Sequence, residues 1–160
     1  MVLDKHDLKK LRENGKNIDE LIESFDCKTA DDIRNNCESY EPNHDVVKEL
    51  IAKAKDYTIV VFSADWCKDC KINTGAFAKI VQLYPEIDAV FFKGIKSAPL
   101  DPDIKWKVPP SPPEVNEFPL NRLPTFYILD SEGYIKTELL ENPVNKPSVE
   151  EELLYLIENI

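Results

Sequence analysis

The stretch from Tyr57 to Lys71, YTIVVFSADWCKDCK, constrains this chain more than any other. Its first part, YTIVVFSA at 57–64, is an uncharged run rich in β-branched and aromatic residues, the mark of a strand buried in the middle of a sheet. Cys67 follows almost at once. From there INTGAFAKIVQLY carries Ile72, Ala76, Ile80 and Leu83 at helical spacing. A central strand therefore passes straight into a helix, with Cys67 at the helix N-terminus and Cys70 about one turn deeper. A C-x-x-C pair alone is compatible with a zinc half-site, a structural disulfide or a redox dithiol.

A redox dithiol needs one thiol that is accessible and ionised, and a second close enough to displace the first product. The strand-to-helix junction meets both needs. Unpaired N–H groups and the helix dipole favour a thiolate at Cys67, and Cys70 is the more shielded partner. Cys67 is then the nucleophile and Cys70 the thiol that resolves the mixed disulfide. Lys68 favours a Cys67 thiolate, whereas Asp65 and Asp69 oppose it. The zinc alternative requires Cys27 and Cys37 as the second pair, and their separation is unlike the short spacing usual in Cys₄ sites. The bland expectation for Cys27 and Cys37 is that they are small buried hydrophobes.

VVFSADWCKDCK resembles the active-site strand and turn of the thioredoxin family, with Trp66 directly before the first cysteine. RLPTFYIL, some fifty residues on, resembles that family's second signature, a proline with a cis peptide bond ahead of a strand. The W-C-x-D-C form is similar to a thioredoxin-related subgroup that also has a longer loop before this proline. The resemblance covers roughly residues 46–160. It implies a thioredoxin fold, a central mixed four-stranded sheet flanked by helices, and thiol–disulfide oxidoreductase activity through Cys67 and Cys70. It also implies a cis Pro124 and docking of extended substrates along Trp66, Leu123, Pro124 and Thr125. Disulfide-containing proteins or small disulfides would be the substrates, and a reductase or low-molecular-weight thiol the electron donor. No metal or organic cofactor is implied.

Several positions depart from the family. Lys68-Asp69 stands where ordinary thioredoxins have Gly-Pro. Val61 replaces a buried Asp that helps deprotonate the second cysteine, which leaves water or Asp69 for that task. Lys93 matches the family's partly buried lysine without its acidic partner, and Gly75 stands where a helix-kinking proline is common.

Elsewhere the pattern divides the chain into a helical N-terminal extension, 1–44, and the thioredoxin-like domain, 45–160. Leu8 and Leu11 mark a first short helix ended at Asn14-Gly15. Asn17 and Glu20 cap a second bearing Leu21, Ile22 and Phe25, and Thr29 with Asp32 opens a third bearing Ile33 and Cys37. Val46, Val47, Leu50, Ile51 and Ala54 share one face of a fourth. Strands are expected at 87–95, at TFYILD and at YIKTELL. A final helix follows, capped by Ser148 and Glu151. The insertion at 94–122 has no periodicity, and seven of the twelve prolines fall in its 96–122 stretch. It either shapes substrate access, with Trp106 as a contact, or covers an edge strand or the N-terminal helices. The N-terminal helices either pack on the sheet, in place of a leading strand, or recruit a partner. The second function class is accordingly an adaptor module with a non-catalytic dithiol.

With 20 basic and 30 acidic residues the formal charge is −10, which argues against a nucleic-acid partner, since phosphate binding needs a basic face. No apolar run reaches bilayer-spanning length. MVLDKHDLKK lacks the apolar segment of a secretory signal, so a cytoplasmic location is expected. His6 and His44 stand among polar residues and are expected to be solvated.

Overall fold

The structure is a computed structural model that describes residues 5–24, 32–64, 66–95 and 111–160. Phe25, Cys27, Thr29, Asp65, Trp106 and the first part of the Pro-rich insertion lie outside the described residues. The elements run α1 (Leu8–Asn14), α2 (Ile18–Ser24), α3 (Ile33–Ser39), α4 (His44–Lys53), β1 (Thr58–Phe62), α5 (Lys68–Leu83), β2 (Ala89–Phe92), β3 (Thr125–Leu129), β4 (Ile135–Leu140) and α6 (Val149–Glu158). A 3-10 turn at Pro113–Asn116 precedes β3.

The four strands form one mixed sheet in the order β2-β1-β3-β4. β1 runs parallel to β2 and antiparallel to β3, and β3 is antiparallel to β4. Every residue of β1 and β3 is buried, as the uncharged TIVVF and TFYIL runs require. Side chains alternate across the sheet. Ile59, Val61, Phe91, Phe126 and Ile128 face a core shared with α2 through α6. Val60, Phe62, Val90, Phe92, Tyr127 and Leu129 face a second core closed by Leu11 of α1 and by Val115 and Phe118.

That second core shows where the described half of the insertion packs. Val115 and Phe118 are buried at 3% and 6% exposure, and Phe118 packs on Phe62 and Tyr127. Burying two such side chains contributes on the order of 1.5–3 kcal/mol each. The stretch also holds α1: Asn14 donates to Glu114 and Lys10 pairs with Glu117. Residues 111–118 thus cover a sheet face and the first helix.

His6 departs from expectation. It is 8% exposed and stacks on Phe118 with ring centroids 4.0 Å apart. The polar neighbours in sequence hid a ring that closes the second core. His44 is half-exposed, and its ring contacts the Tyr84 hydroxyl and Glu41.

Helices α1 and α2 pack on the sheet and its edge, and α3 packs on α5. Lys16 exchanges two backbone hydrogen bonds with Phe91 at the open edge of β2, which occupies part of an otherwise unpaired edge. The Arg12 guanidinium reaches Asp88 and Thr58. α3 lies along α5 at Gly75, where an added Cβ would stand 2.7 Å from the Asn36 Cβ and 3.0 Å from the Ile33 carbonyl oxygen. Gly75 is therefore a contact point between two helices. Cys37, on α3, is fully buried, and burial pushes its thiol up to about 11.

Candidate active site

The helix caps show what is unusual about α5. Asp7, Asn17, Asp32, Asn43 and Ser148 cap α1, α2, α3, α4 and α6, each accepting from a backbone N–H three residues on. These are the oxygen acceptors that helix N-termini prefer. At α5 the cap is the sulfur of Cys67, which accepts from the Cys70 N–H at 3.3 Å. Oxygen in that position is stabilising as a neutral acceptor. Sulfur is a weak acceptor until it ionises, so the same geometry favours thiolate over thiol.

Cys67 is part-exposed, whereas Cys70 is completely buried. The two thiols move apart in acidity for linked reasons. The Cys70 thiol donates to Cys67, and with the N–H groups of Cys70 and Asp69 it brings Cys67 down to about 7, against partial burial and the Asp69 charge. Burial, followed by that same hydrogen bond, drives Cys70 strongly upward. One accessible thiol near neutrality thus stands beside one hidden, protonated thiol.

The loop before β3 closes the site from the other side. The Leu123–Pro124 peptide is cis, and the Leu123 carbonyl lies 3.6 Å from the Cys67 sulfur. Thr125 is fully buried, and its hydroxyl donates to the Arg122 carbonyl at 2.6 Å. Its side chain braces the turn from inside and offers no surface for docking. Trp66 is 55% exposed, with its indole N–H donating to the Ile95 carbonyl at 2.8 Å. The ring is thereby tied beside Cys67 with part of its area facing solvent.

Lys68 is exposed and Asp69 partly so. The Asp69 charge opposes ionisation of Cys67, as its sequence position implies. Lys93 donates from Nζ to the Ser24 carbonyl at the end of α2, 2.9 Å away, where a cation complements the helix dipole. Val61 lies in the first core with 0% exposure, so an apolar side chain fills the place of the family's buried acid. Trp106 and Asp65 fall outside the described residues.

Two groups of residues escaped the sequence reading. Asn73 of α5 donates from its amide to the Glu141 carbonyl at 2.8 Å, and the Glu141 N–H donates to the Pro124 carbonyl at 2.8 Å. This links the dithiol helix to the cis-proline loop. Ser63 and Thr74, both buried, bring their hydroxyls within 3.0 Å of each other behind Cys70. A polar residue inside an otherwise apolar run was the available signal for Ser63.

Among the described residues no group of three or more His, Cys, Asp or Glu side chains could hold a metal ion. None of their helices is long and apolar enough to cross a membrane.

A mixed four-stranded sheet, a C-x-x-C pair at the start of a helix after the central strand, and a cis proline ahead of the antiparallel strand define a thioredoxin-like protein. The family model described as thioredoxin matches residues 15–94, and the chain belongs to that family. The match reaches well into the N-terminal helices, which the sequence motifs alone had left outside the resemblance. No curated protein is similar enough to the chain to count as a relative.

Among solved structures, an HIV epitope-scaffold protein aligns with a TM-score of 0.62 at 16% identity, over 97% of this chain and 99% of its own. A protein of unknown function, PA1234 from Pseudomonas aeruginosa, aligns at 0.58 and 15% identity, over 96% of this chain and 94% of its own. Both likenesses are of fold, and both include the N-terminal helices. Mitochondrial thioredoxin 3 from Saccharomyces cerevisiae is 23% identical over 78% of this chain and 99% of its own, with a TM-score of 0.42.

Proposed function

We propose that the protein is a thiol–disulfide oxidoreductase that reduces or exchanges disulfides through Cys67 and Cys70. The observation that carries the reading is the Cys67 sulfur as cap of α5, part-exposed, brought to about 7, and facing the cis Leu123–Pro124 peptide. A thiolate at that place is both populated near neutral pH and reachable.

The chemistry runs in two exchanges. The Cys67 thiolate attacks one sulfur of the substrate; a Cys67–substrate bond forms, the substrate disulfide breaks, and the departing thiolate takes up a proton. Cys70 then gives up its proton and attacks the Cys67 sulfur. The Cys67–Cys70 disulfide forms, and the second substrate thiolate leaves and is protonated. Two electrons pass to the substrate, and a reductase or low-molecular-weight thiol restores the dithiol. Trp66 and the Leu123–Pro124 segment form the docking rim, and Lys68 and Asp69 tune Cys67. The substrates are disulfide-containing proteins or small disulfides, handled in the cytoplasm without a metal or organic cofactor.

The test is turnover. Wild type should accelerate reduction of a protein disulfide by dithiothreitol, and Cys67→Ser should abolish the acceleration. Equal rates with and without wild-type protein would leave the fold without this activity.

A further inference from the structure

The resolving exchange has a difficulty that the site so far does not answer. Cys70 is fully buried, its thiol is pushed up by that burial, and Val61 withholds the carboxylate that would help it ionise. Two hydroxyls stand at the same place. Ser63, just past the end of β1, is 2% exposed, and Thr74, one turn after Cys70 on α5, is fully buried. Their oxygens are 3.0 Å apart. The Ser63 hydroxyl favours the ionised form of Cys70, as the smallest of the influences on that thiol. The Ala64 N–H lies 3.5 Å from the same sulfur. In sequence, Ser63 stands between buried Phe62 and Ala64, and Thr74 lies between buried Asn73 and the buried stretch Ala76 to Ala78.

Buried hydroxyls in an apolar core are costly unless their bonds are made. A hydroxyl has one proton to give. When Thr74 donates to Ser63, the Ser63 proton is free to point at Cys70, and each bond polarises the next. Turned that way, the Ser63 hydroxyl would join the Ala64 N–H at one sulfur. This is the donor set that a thiolate needs and a thiol does not.

We propose that Ser63, oriented by Thr74, is a positioning residue that stabilises the Cys70 thiolate in the resolving exchange, in place of a buried acid. The inference rests on the oxidoreductase reading above. The hydroxyl keeps its own proton throughout. The Cys70 proton is released to water, the Cys67–Cys70 bond forms as the Cys67–substrate bond breaks, and the leaving thiolate is reprotonated. The Asp69 charge bears on Cys67, which it makes harder to ionise. The titratable group bearing on Cys70 is Cys67, whose charge makes Cys70 harder to ionise.

The experiment follows reaction of the reduced protein with an aromatic disulfide whose thiol product is coloured, by stopped flow across pH. A first release reports attack by Cys67, and a second reports resolution by Cys70. In Ser63→Ala the second phase should slow about tenfold, with its pH profile displaced upward, as expected for a lost hydrogen bond to a charged group. Thr74→Val should slow it by roughly threefold. The double variant Ser63→Ala/Thr74→Val, which leaves neither hydroxyl unsatisfied, should match Ser63→Ala and guards against misfolding of the single variants. A second phase unchanged in rate and pH profile in Ser63→Ala and in the double variant, with the first phase present, overturns this inference alone. Absence of the first phase in wild type overturns the oxidoreductase reading, and this inference with it.

Discussion

The N–H of Glu141 donates to the carbonyl of Pro124 at 2.8 Å, from a residue held in the left-handed region at φ 63°. Only glycine adopts that region without steric cost. The strain is held from both sides, because Asn73 grips the Glu141 carbonyl while Glu141 grips Pro124. Helix α5, which carries the dithiol, is thereby linked to the loop that faces it.

Glu141→Gly keeps the N–H and the carbonyl and removes the steric cost of the side chain. It should raise stability by about 0.5–1 kcal/mol, measured by urea denaturation. Glu141→Val, β-branched in the same conformation, should lower it by more than that.

Asn73→Ala leaves the Glu141 carbonyl without its side-chain donor and frees the loop. Stability should fall by about 1–3 kcal/mol. If the loop positions substrate, KM for a protein disulfide should rise while alkylation of Cys67 stays near its wild-type rate.

The acidity of Cys67 gives a signed pH dependence. Its pKa is lowered to about 7, chiefly by the Cys70 hydrogen bond, so alkylation by iodoacetamide should rise with pH through about 7 and level off above it. Asp69 opposes the thiolate. In Asp69→Asn the midpoint should therefore move down, and alkylation about one unit below the wild-type midpoint should be faster.

Gly75 carries the approach of α3 to α5. Gly75→Ala would place a Cβ 2.7 Å from the Asn36 Cβ and 3.2 Å from the Cys37 N. Neither backbone nor a Cβ can swing aside, so α3 must shift as a unit. A loss of about 1–3 kcal/mol is expected in thermal or urea unfolding, despite the higher helix propensity of alanine.

Much of this was legible in the sequence because local patterns carried it. TIVVF and TFYIL are uncharged throughout and became strands buried on both faces. Asn17 and Ser148 stand where a hydrogen-bonding cap must stand, and the junction of β1 with α5 put Cys67 at a helix N-terminus. What could not be read depends on contacts between distant segments. His6 stacks on Phe118 across more than a hundred residues, and neither neighbourhood announces the other. The contact made at Gly75 was hidden because its partner, the backbone of α3, lies some forty residues earlier. Thr125 lay in the docking motif, yet its burial and its bond to Arg122 are properties of the folded turn. Glu141 took the left-handed conformation without the glycine that normally signals it.

The central claim is that Cys67 is a nucleophile toward disulfides and Cys70 its resolving partner. Intact-mass analysis of Cys70→Ser after exposure to a disulfide substrate tests it most directly. The account predicts one substrate thiol retained on Cys67, absent from the Cys67→Ser protein and released quickly by wild type. Cys70→Ser protein that stays unmodified, or carries its adduct on Cys37, would contradict it.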